Sequence, residues 1–128
     1  MRKILIVDDS PTIRKMVRAS LRELDDAEFI EAANGLAAIE QIALGPVALI
    51  VLDLNMPDMH GVDVLKFVRA HRRSKDVPVV VLTTRSDSSS RETAIAAGAT
   101  AYVTKPFAPP ALLASAEHLL SAARQPQA

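Results

Sequence analysis

Short apolar runs alternate with longer segments of helical periodicity along the whole chain. Five runs are predicted to form strands, and they are Ile4–Val7, Glu28–Glu31, Val47–Leu52, Val79–Leu82 and Ala101–Thr104. Apolar runs without polar alternation are typical of parallel strands that are buried on both faces. The run at Glu28–Glu31 is short and charged, so we expect it at an edge of the sheet.

A helical segment follows each predicted strand. In the first segment, Ser10 is a favourable N-cap and Pro11 suits the first helical position. The apolar residues of this segment recur at helical spacing, and they are Ile13, Met16, Val17, Leu21 and Leu24. The other helices are predicted after Gly35, over Val62–His71, over Arg91–Ala97 with Gly98 as the stop, and along Leu112–Leu120.

The strict alternation of strands and helices predicts an α/β fold. A (βα)5 chain of this kind forms a doubly wound, five-stranded parallel sheet with helices on both faces. In such open sheets, ligands bind beyond the carboxyl ends of the strands. The residues that directly follow each strand are therefore the first candidates for function.

Polar side chains directly follow four of the predicted strands. Asp8 and Asp9 follow the first strand, and Asp53 follows the third. Thr83 follows the fourth strand, and Lys105 follows the fifth. Because the carboxyl ends of parallel strands share one edge of the sheet, we expect these side chains to gather in one place.

Three neighbouring carboxylates favour a hard divalent cation. Mg2+ binds carboxylate oxygens, retains water molecules and accepts phosphate oxygens. With such an ion, Asp53 is a candidate nucleophile for phosphoryl transfer, and Lys105 is a candidate donor to the transferred group. Taken singly, each residue also has a structural interpretation as a helix cap, a turn residue or a solvated charge. The functional interpretation depends on the five residues together.

Composition narrows the classes of function. The 128 residues suit one domain, which we predict over residues 1–123 with a tail or linker at 124–128. The chain has 15 basic and 15 acidic residues and only 3% aromatic residues, which argues against direct nucleic-acid binding. It has no cysteine, which excludes thiolate chemistry. No apolar run is long enough to span a bilayer, and we expect a cytoplasmic protein without membrane insertion.

At these residues the chain resembles the receiver domains of two-component response regulators, most of all the single-domain regulators of chemotaxis. The resemblance rests on the segments VDDS, LDLNMPDMHG, the TT after the fourth strand, and GATAYVTKPF. It implies a flavodoxin-like sheet with the strand order 2-1-3-4-5. It also implies a phosphorylation-activated signalling switch, which is not an enzyme beyond assisting its own phosphorylation and dephosphorylation.

The resemblance implies roles for the acidic residues. Asp53 is the expected phosphorylation site, and its carboxylate also contributes to the metal site. Asp9 is expected to bind Mg2+ directly, and Asp8 is expected to bind it largely through water. The backbone carbonyl of Asn55 is the further expected ligand, and Mn2+ is an alternative ion.

The resemblance also implies a switch and its partners. Thr83 and Lys105 are expected to bind the phosphoryl oxygens, and Tyr102 is expected to turn inward as the switch residue. The expected phosphoryl donor is a sensor histidine kinase or a phosphotransfer protein. An output protein, which the sequence does not identify, is expected to bind the face made by the fourth helix, the fifth strand and the fifth helix. The chain is expected to be a monomer or a weak dimer, with the Lys105–Pro106 peptide bond in the cis form.

Alternatives on the same fold remain open from the sequence. A Mg2+-dependent phosphohydrolase would also use Asp53, although Asn55 replaces the second acid of its D-x-D pair. A nucleotide or flavin domain needs a turn that exposes backbone N–H groups, whereas DDSP offers two acids and a proline. The chain can also be a receiver fragment of a larger regulator. Of the loop residues, Gly61 is interpreted as a glycine that needs positive φ, and His60 as a solvated side chain.

Overall fold

The computed structural model of the chain describes residues 1–84 and 88–124. Its strands are β1 (Arg2–Val7), β2 (Ala27–Ala32), β3 (Leu49–Asp53), β4 (Val79–Thr84) and β5 (Ala101–Lys105). Its helices are α1 (Pro11–Ser20), α2 (Gly35–Leu44), α3 (Gly61–Ala70), α4 (Ser88–Ala97) and α5 (Pro109–Arg124). Within the described residues, no helix combines the length and the apolar content that crossing a bilayer requires.

The five strands form one parallel sheet in the order β2-β1-β3-β4-β5. This order confirms the predicted doubly wound fold and the edge position of β2. The winding direction reverses between β1 and β3, so the crevice in which such sheets bind ligands lies beyond the ends of these two strands. The tail predicted at residues 124–128 falls almost entirely outside the described residues, and that boundary stays a prediction.

The three central strands bury side chains on both faces, as their uninterrupted apolar runs predict. In β1, Leu5 and Val7 pack with residues of α2, α3 and α4, whereas Ile4 and Ile6 pack with residues of α1 and α5. β3 is buried at every position, and its last residue is Asp53. The polar residues at the carboxyl-terminal ends of the strands therefore lie directly next to a dry and closely packed core.

The first helix differs from its prediction. α1 ends at Ser20 rather than at Leu24, although Leu21 and Leu24 remain buried in the turn that follows. Met16 was expected on the inward face, but its side chain is 41% exposed. It lies about 100° around the helix from the fully buried Val17, because an α-helix turns once in about 3.6 residues. Helical spacing alone is compatible with Met16 on the apolar face. The packing of the helix instead leaves Met16 exposed to solvent.

The glycine after the third strand also has a different role from the one expected. Positive φ occurs at Gly98, with φ 113°, but not at Gly61. Gly61 begins α3, and its N–H donates to the carbonyl of Leu54 at 2.8 Å. A Cβ atom on Gly61 would lie 2.6 Å from the carbonyl oxygen of Asp53 and 2.7 Å from the Cα of Leu54. Glycine is needed here because α3 packs directly on the backbone of the residue that carries the candidate nucleophile.

We predict that Gly61→Ala lowers the free energy of unfolding by about 1–3 kcal/mol, because the added methyl group overpacks this contact. Urea denaturation followed by circular dichroism measures the change. Gly45→Ala is the matched control, because nothing lies within 4 Å of a Cβ there and its φ of 168° is extended backbone. The control should be unchanged or more stable by up to about 1 kcal/mol. Equal stabilities of the two variants would contradict the close packing of α3 on β3.

Candidate functional site

The register of the sheet brings the first two acidic positions together. β1 and β3 pair Val7 with Leu52, so the residues that follow them, Asp8 and Asp53, emerge side by side. Both carboxylates are nearly inaccessible to solvent, with Asp8 1% and Asp53 3% exposed. Two residues that are far apart in the sequence thus share one buried position at the switch point of the sheet.

The next two strands add a hydroxyl and an ammonium group to the same edge. Asp53 lies opposite Leu82, so Thr83 is one position further out on β4. Lys105 is the last residue of β5 and lies opposite Thr84. The peptide bond between Lys105 and Pro106 is cis, as expected. The structure therefore aligns these four strand ends as the alternating pattern predicts.

The three acidic residues form a compact cluster of oxygen ligands. One carboxylate oxygen from each of Asp8, Asp9 and Asp53 lies within 4.8 Å of the other two. Asp9 is exposed, whereas the other two residues are buried. Carboxylate oxygens with access to water are the ligands that Mg2+ prefers, and Mn2+ accepts the same donors. The residues present therefore fit a hard divalent cation, with the solvent side of the cluster open beside Asp9.

Lys105 bridges the two buried carboxylates. Its Nζ lies 3.0 Å from Oδ2 of Asp8 and 3.1 Å from Oδ1 of Asp53. Burial lowers the pKa of Lys105, but the neighbouring carboxylates of Asp53 and Asp8 outweigh it, and the net shift is upward. Lys105 is therefore an ammonium ion at neutral pH. Within residues 1–84 and 88–124, Lys105 is the one cation within ion-pair distance of these three acids, so one positive charge faces three carboxylates there.

The pKa of Asp53 is raised above its ordinary value. Burial is the largest cause, the charge of Lys105 opposes it, and the repulsion from Asp8 adds to it. Oδ1 of Asp53 also accepts the N–H of Asn55 at 3.2 Å. Among the described residues, none donates a hydrogen bond to Oδ2 of Asp53. One oxygen is thus held by the protein, and the other is available for reaction.

Asp8 is engaged through both oxygens. Oδ1 accepts the N–H of Ser10 at 2.9 Å, and Oδ2 accepts a hydrogen bond from Lys105. Ser10 in turn caps α1 through its Oγ, which accepts the N–H of Ile13. The start of α1 therefore fixes the orientation of Asp8. Asp9 makes no such contact within the part of the chain that the structure describes, so its carboxylate is the more available ligand.

Thr83 carries a buried hydroxyl group without a hydrogen-bond partner. The residue is 1% exposed, and its Oγ1 has no partner among residues 1–84 and 88–124. Leaving such a group unpaired costs about 1–3 kcal/mol of stability. Native proteins rarely keep this arrangement without a reason. A hydroxyl group at this edge of the sheet would gain a partner when an anion binds beside Asp53.

Tyr102 lies apart from the other predicted residues. It is opposite Val81 rather than at the end of β5, and its side chain is 43% exposed. The guanidinium of Arg91 in α4 covers the ring, with Cζ 4.7 Å from the ring centroid, which is within cation–π distance. Arg91 was predicted only as the start of a helix, because a contact between a helix and a neighbouring strand leaves no local pattern in the sequence.

The loop after β3 is anchored by two residues whose roles were not predicted. The carboxylate of Asp58 accepts the N–H groups of Gly35 at 3.1 Å and Leu36 at 3.2 Å, at the start of α2. The hydrogen bond from Gly35 is the main cause of the lowered pKa of Asp58. His60 is not merely solvated, because its Nδ1 accepts the N–H of Val62 and caps α3. These bonds fix the loop that carries Asn55, whose carbonyl role stays a prediction.

Known proteins resemble this chain along most of its length. The response regulator receiver domain family matches residues 4–117. Chemotaxis protein CheY1 of Helicobacter pylori is 37% identical over 92% of this chain and 96% of that protein. The structure of Vibrio cholerae CheY4 has a TM-score of 0.84 and 35% identity, covering 93% of this chain and 98% of that one.

A further solved structure is the receiver domain of a sensor histidine kinase from Pseudomonas aeruginosa PAO1. It has a TM-score of 0.85 and 26% identity, and it covers 94% of this chain and 98% of that one. That protein holds a magnesium ion coordinated in its active site cleft. These relatives bear out the expected family and fold, and they give no support to a phosphohydrolase or a flavin domain.

We predict that Mg2+ raises the melting temperature, because it offsets the repulsion among the three carboxylates. At ten times the dissociation constant the expected gain is about 5 °C. Differential scanning fluorimetry with increasing MgCl2 measures it. Asp9→Asn should lose most of the gain, whereas Asp76→Asn, which removes an exposed acid outside the acidic cluster, should retain it. Equal gains in the two variants would place the ion elsewhere.

Proposed function

Because the chain belongs to the family of response regulator receiver domains, we propose that transfer of a phosphoryl group to Asp53 activates it. The family consists of phosphorylation-activated signalling switches, which are generally not classed as enzymes. The observation that carries the proposal is the meeting of three carboxylates, the Lys105 ammonium and the unpaired Thr83 hydroxyl at one edge of the sheet. Each of these groups has a task in phosphoryl transfer.

Asp53 is the proposed nucleophile. Its Oδ2 forms a bond to phosphorus, while the bond between phosphorus and the donor's imidazole nitrogen breaks, which leaves an acyl phosphate on Asp53 and a neutral or protonated histidine on the donor. The donor is a phosphohistidine of a sensor kinase or of a phosphotransfer protein. Oδ1 stays bonded to Lys105 and to the N–H of Asn55, so the protein holds the carboxylate in one orientation while Oδ2 reacts.

The acidic cluster is the proposed metal site. Asp9 is the direct ligand with the least prior engagement, whereas both oxygens of Asp8 already accept hydrogen bonds, which favours contact through water. Asp53 and the backbone carbonyl of Asn55 complete the proposed ligand set. A bound Mg2+ supplies positive charge for the phosphoryl oxygens and the transition state. The magnesium ion in the Pseudomonas aeruginosa receiver domain supports this assignment.

Thr83 and Lys105 are the proposed ligands of the phosphoryl oxygens. The ammonium group of Lys105 lies 3.1 Å from Asp53, so a phosphoryl group on Asp53 comes within its reach. The hydroxyl of Thr83 has no hydrogen-bond partner among the described residues, so it can bind a phosphoryl oxygen without breaking an existing hydrogen bond there. Phosphorylation adds about 1.5 to 2 negative charges, which strengthens both interactions. Recruitment of these two side chains is the proposed first step of the switch.

The proposed output surface is the face formed by α4, β5 and α5. Tyr102 is 43% and Ile95 is 48% exposed on the elements of this face. Inward movement of Tyr102 would change its shape, and an output protein that prefers the changed face would bind the phosphorylated form more tightly. We further propose that the chain acts in the cytoplasm, as a monomer or a weak dimer.

We predict that acetyl phosphate and Mg2+ add one phosphoryl group to the wild-type protein and none to Asp53→Asn. Asparagine lacks the carboxylate oxygen that forms the acyl phosphate. Intact-mass spectrometry at low temperature measures incorporation. Asp63→Asn, which removes an exposed acid from α3, should be labelled like the wild type. Persistent labelling of Asp53→Asn would move the nucleophile to another residue.

A second prediction separates phosphorylation from switching. Tyr102 is the only tyrosine and there is no tryptophan, so the intrinsic fluorescence of the protein reports on this one ring. Phosphorylation should change the fluorescence of the wild type and of Lys66→Ala, an exposed control on α3. Lys105→Ala should still accept the phosphoryl group, more slowly, but with little change in fluorescence.

The two readouts distinguish a lost signal from a lost reaction. The mass of each sample gives the fraction phosphorylated, and the fluorescence change is divided by that fraction. A full change per phosphoryl group in Lys105→Ala would overturn the proposed role of Lys105, while leaving Asp53 as the phosphorylation site.

A further inference from the structure

A cavity of about 320 Å³ lies at the opposite, amino-terminal edge of the sheet. It opens beside the start of β1 and the start of β4, with α5 as one wall. Its lining combines aliphatic side chains with charged ones, and the residues are Arg2, Val47, Ala48, Arg72, Arg73, Asp76, Val77, Pro78 and Leu120. The volume is at the lower end of the range for small-molecule sites, about 300–1,000 Å³.

The charges around this cavity do not balance. Three guanidinium groups, those of Arg2, Arg72 and Arg73, face one carboxylate, that of Asp76. In the described parts of the chain, no carboxylate lies within ion-pair distance of any of the three arginines. The charge of Asp76 acts on Arg69. Burial lowers the pKa of Arg69, and the carboxylate of Asp76 opposes this shift. Among the residues that line the cavity, positive charges therefore outnumber negative ones, and the acids nearest to Arg2 line the adjoining pocket, which contains Glu23, Asp25 and Glu117.

The structure argues against a purely structural role for Arg72 and Arg73. Cationic residues after a helix often bind the free carbonyl groups at its end. Here Arg69 serves the carbonyls of this loop, with 3.0 Å to Lys75 and 2.6 Å to Val77. Arg72 and Arg73 are exposed and make no hydrogen bond among residues 1–84 and 88–124. Their side chains are available at the mouth of the cavity.

Arg2 contributes an independent sign of an unfilled site. Its terminal nitrogen donates to the backbone carbonyl of Asp25. Its Nε is buried, and it has no hydrogen-bond partner among the described residues. A buried donor of this kind gains a partner when an acceptor enters the cavity.

We propose that this cavity binds the phosphate group of an organic phosphate whose apolar part packs against the aliphatic wall. The planar fork of an arginine side chain matches phosphate oxygens in pairs, and two or three forks hold one phosphate group. Val47, Val77 and Leu120 provide apolar surface next to the charges. The acidic cluster at the other edge repels phosphate when no divalent ion is bound. Phosphate binding measured without divalent ions therefore reports on the cavity and not on the acidic cluster.

Titration followed by 15N–1H NMR in EDTA tests the proposal with three probes. Phenyl phosphate should bind in the millimolar range or tighter, about tenfold more tightly than inorganic phosphate, and phenol should not bind detectably. The largest shifts should fall on the amides of Val47, Ala48 and Val77. Shifts centred on Asp8 and Asp53, or equal affinity for phenyl phosphate and inorganic phosphate, would overturn the assignment.

Variants identify the groups that bind. The double variant Arg72→Gln/Arg73→Gln should bind phenyl phosphate at least about tenfold more weakly. Lys75→Gln is the control, because it removes a charge from the same loop but does not line the cavity. It should bind within about twofold of the wild type. Both variants should give well-dispersed spectra, since the changed side chains are exposed. Undiminished binding by the double variant would refute the site.

Discussion

The structure depends on an electrostatic conflict that the parallel sheet creates and only partly relieves. Adjacent strands carry Asp8 and Asp53 to the same level, and both side chains are buried. Breaking a buried ion pair by removing one partner typically costs about 3–5 kcal/mol, so the bridge from Lys105 is central to the fold of this edge. Among the residues that the structure describes, one ammonium group faces these three acids and cannot neutralise them all. Carboxylates in this arrangement fit a divalent ion, and through that ion the edge can accept the proposed phosphoryl group.

Much of this arrangement could be predicted because it follows from local patterns and one topological rule. Apolar runs and helical segments alternate, so the fold class follows, and the parallel direction places every strand's last residue at one edge. The positions of Asp53, Thr83 and Lys105 could therefore be predicted without knowing which distant residues they contact. The patterns were weaker where a residue's environment depends on close packing. Met16 has the right spacing but lies outside the core, and Gly61 is required by an approach of two backbones rather than by its own φ.

The residues that sequence reasoning missed differ from these in their contacts. Asp58 and Arg91 each make a contact that links segments without a common periodic pattern, whereas the contact of His60 is local. Asp58 binds the start of α2, 23 residues earlier, and Arg91 covers a tyrosine on the next strand. His60 caps its own helix, but histidine is not among the preferred N-cap residues, so its type gave no signal. Such contacts hold the loop and the proposed output face in place, and only a three-dimensional arrangement shows them.

The contact between Arg91 and Tyr102 bears on how a small chemical change could be read at the surface. A cation–π contact at a partly exposed site is worth about 0.5–1 kcal/mol, so it favours the outward ring by roughly two- to fivefold. A bias of that size is easily reversed. The phosphoryl group offers Lys105 and Thr83 new charge-assisted hydrogen bonds, and hydrogen bonds to charged groups contribute about 1.5–3 kcal/mol each. The outward position of the Tyr102 ring is therefore stabilised only weakly. The free energy that the proposed phosphoryl group makes available at Asp53 is larger than the free energy that holds the ring outward. A much stronger contact on Tyr102 would make the proposed switch insensitive to phosphorylation.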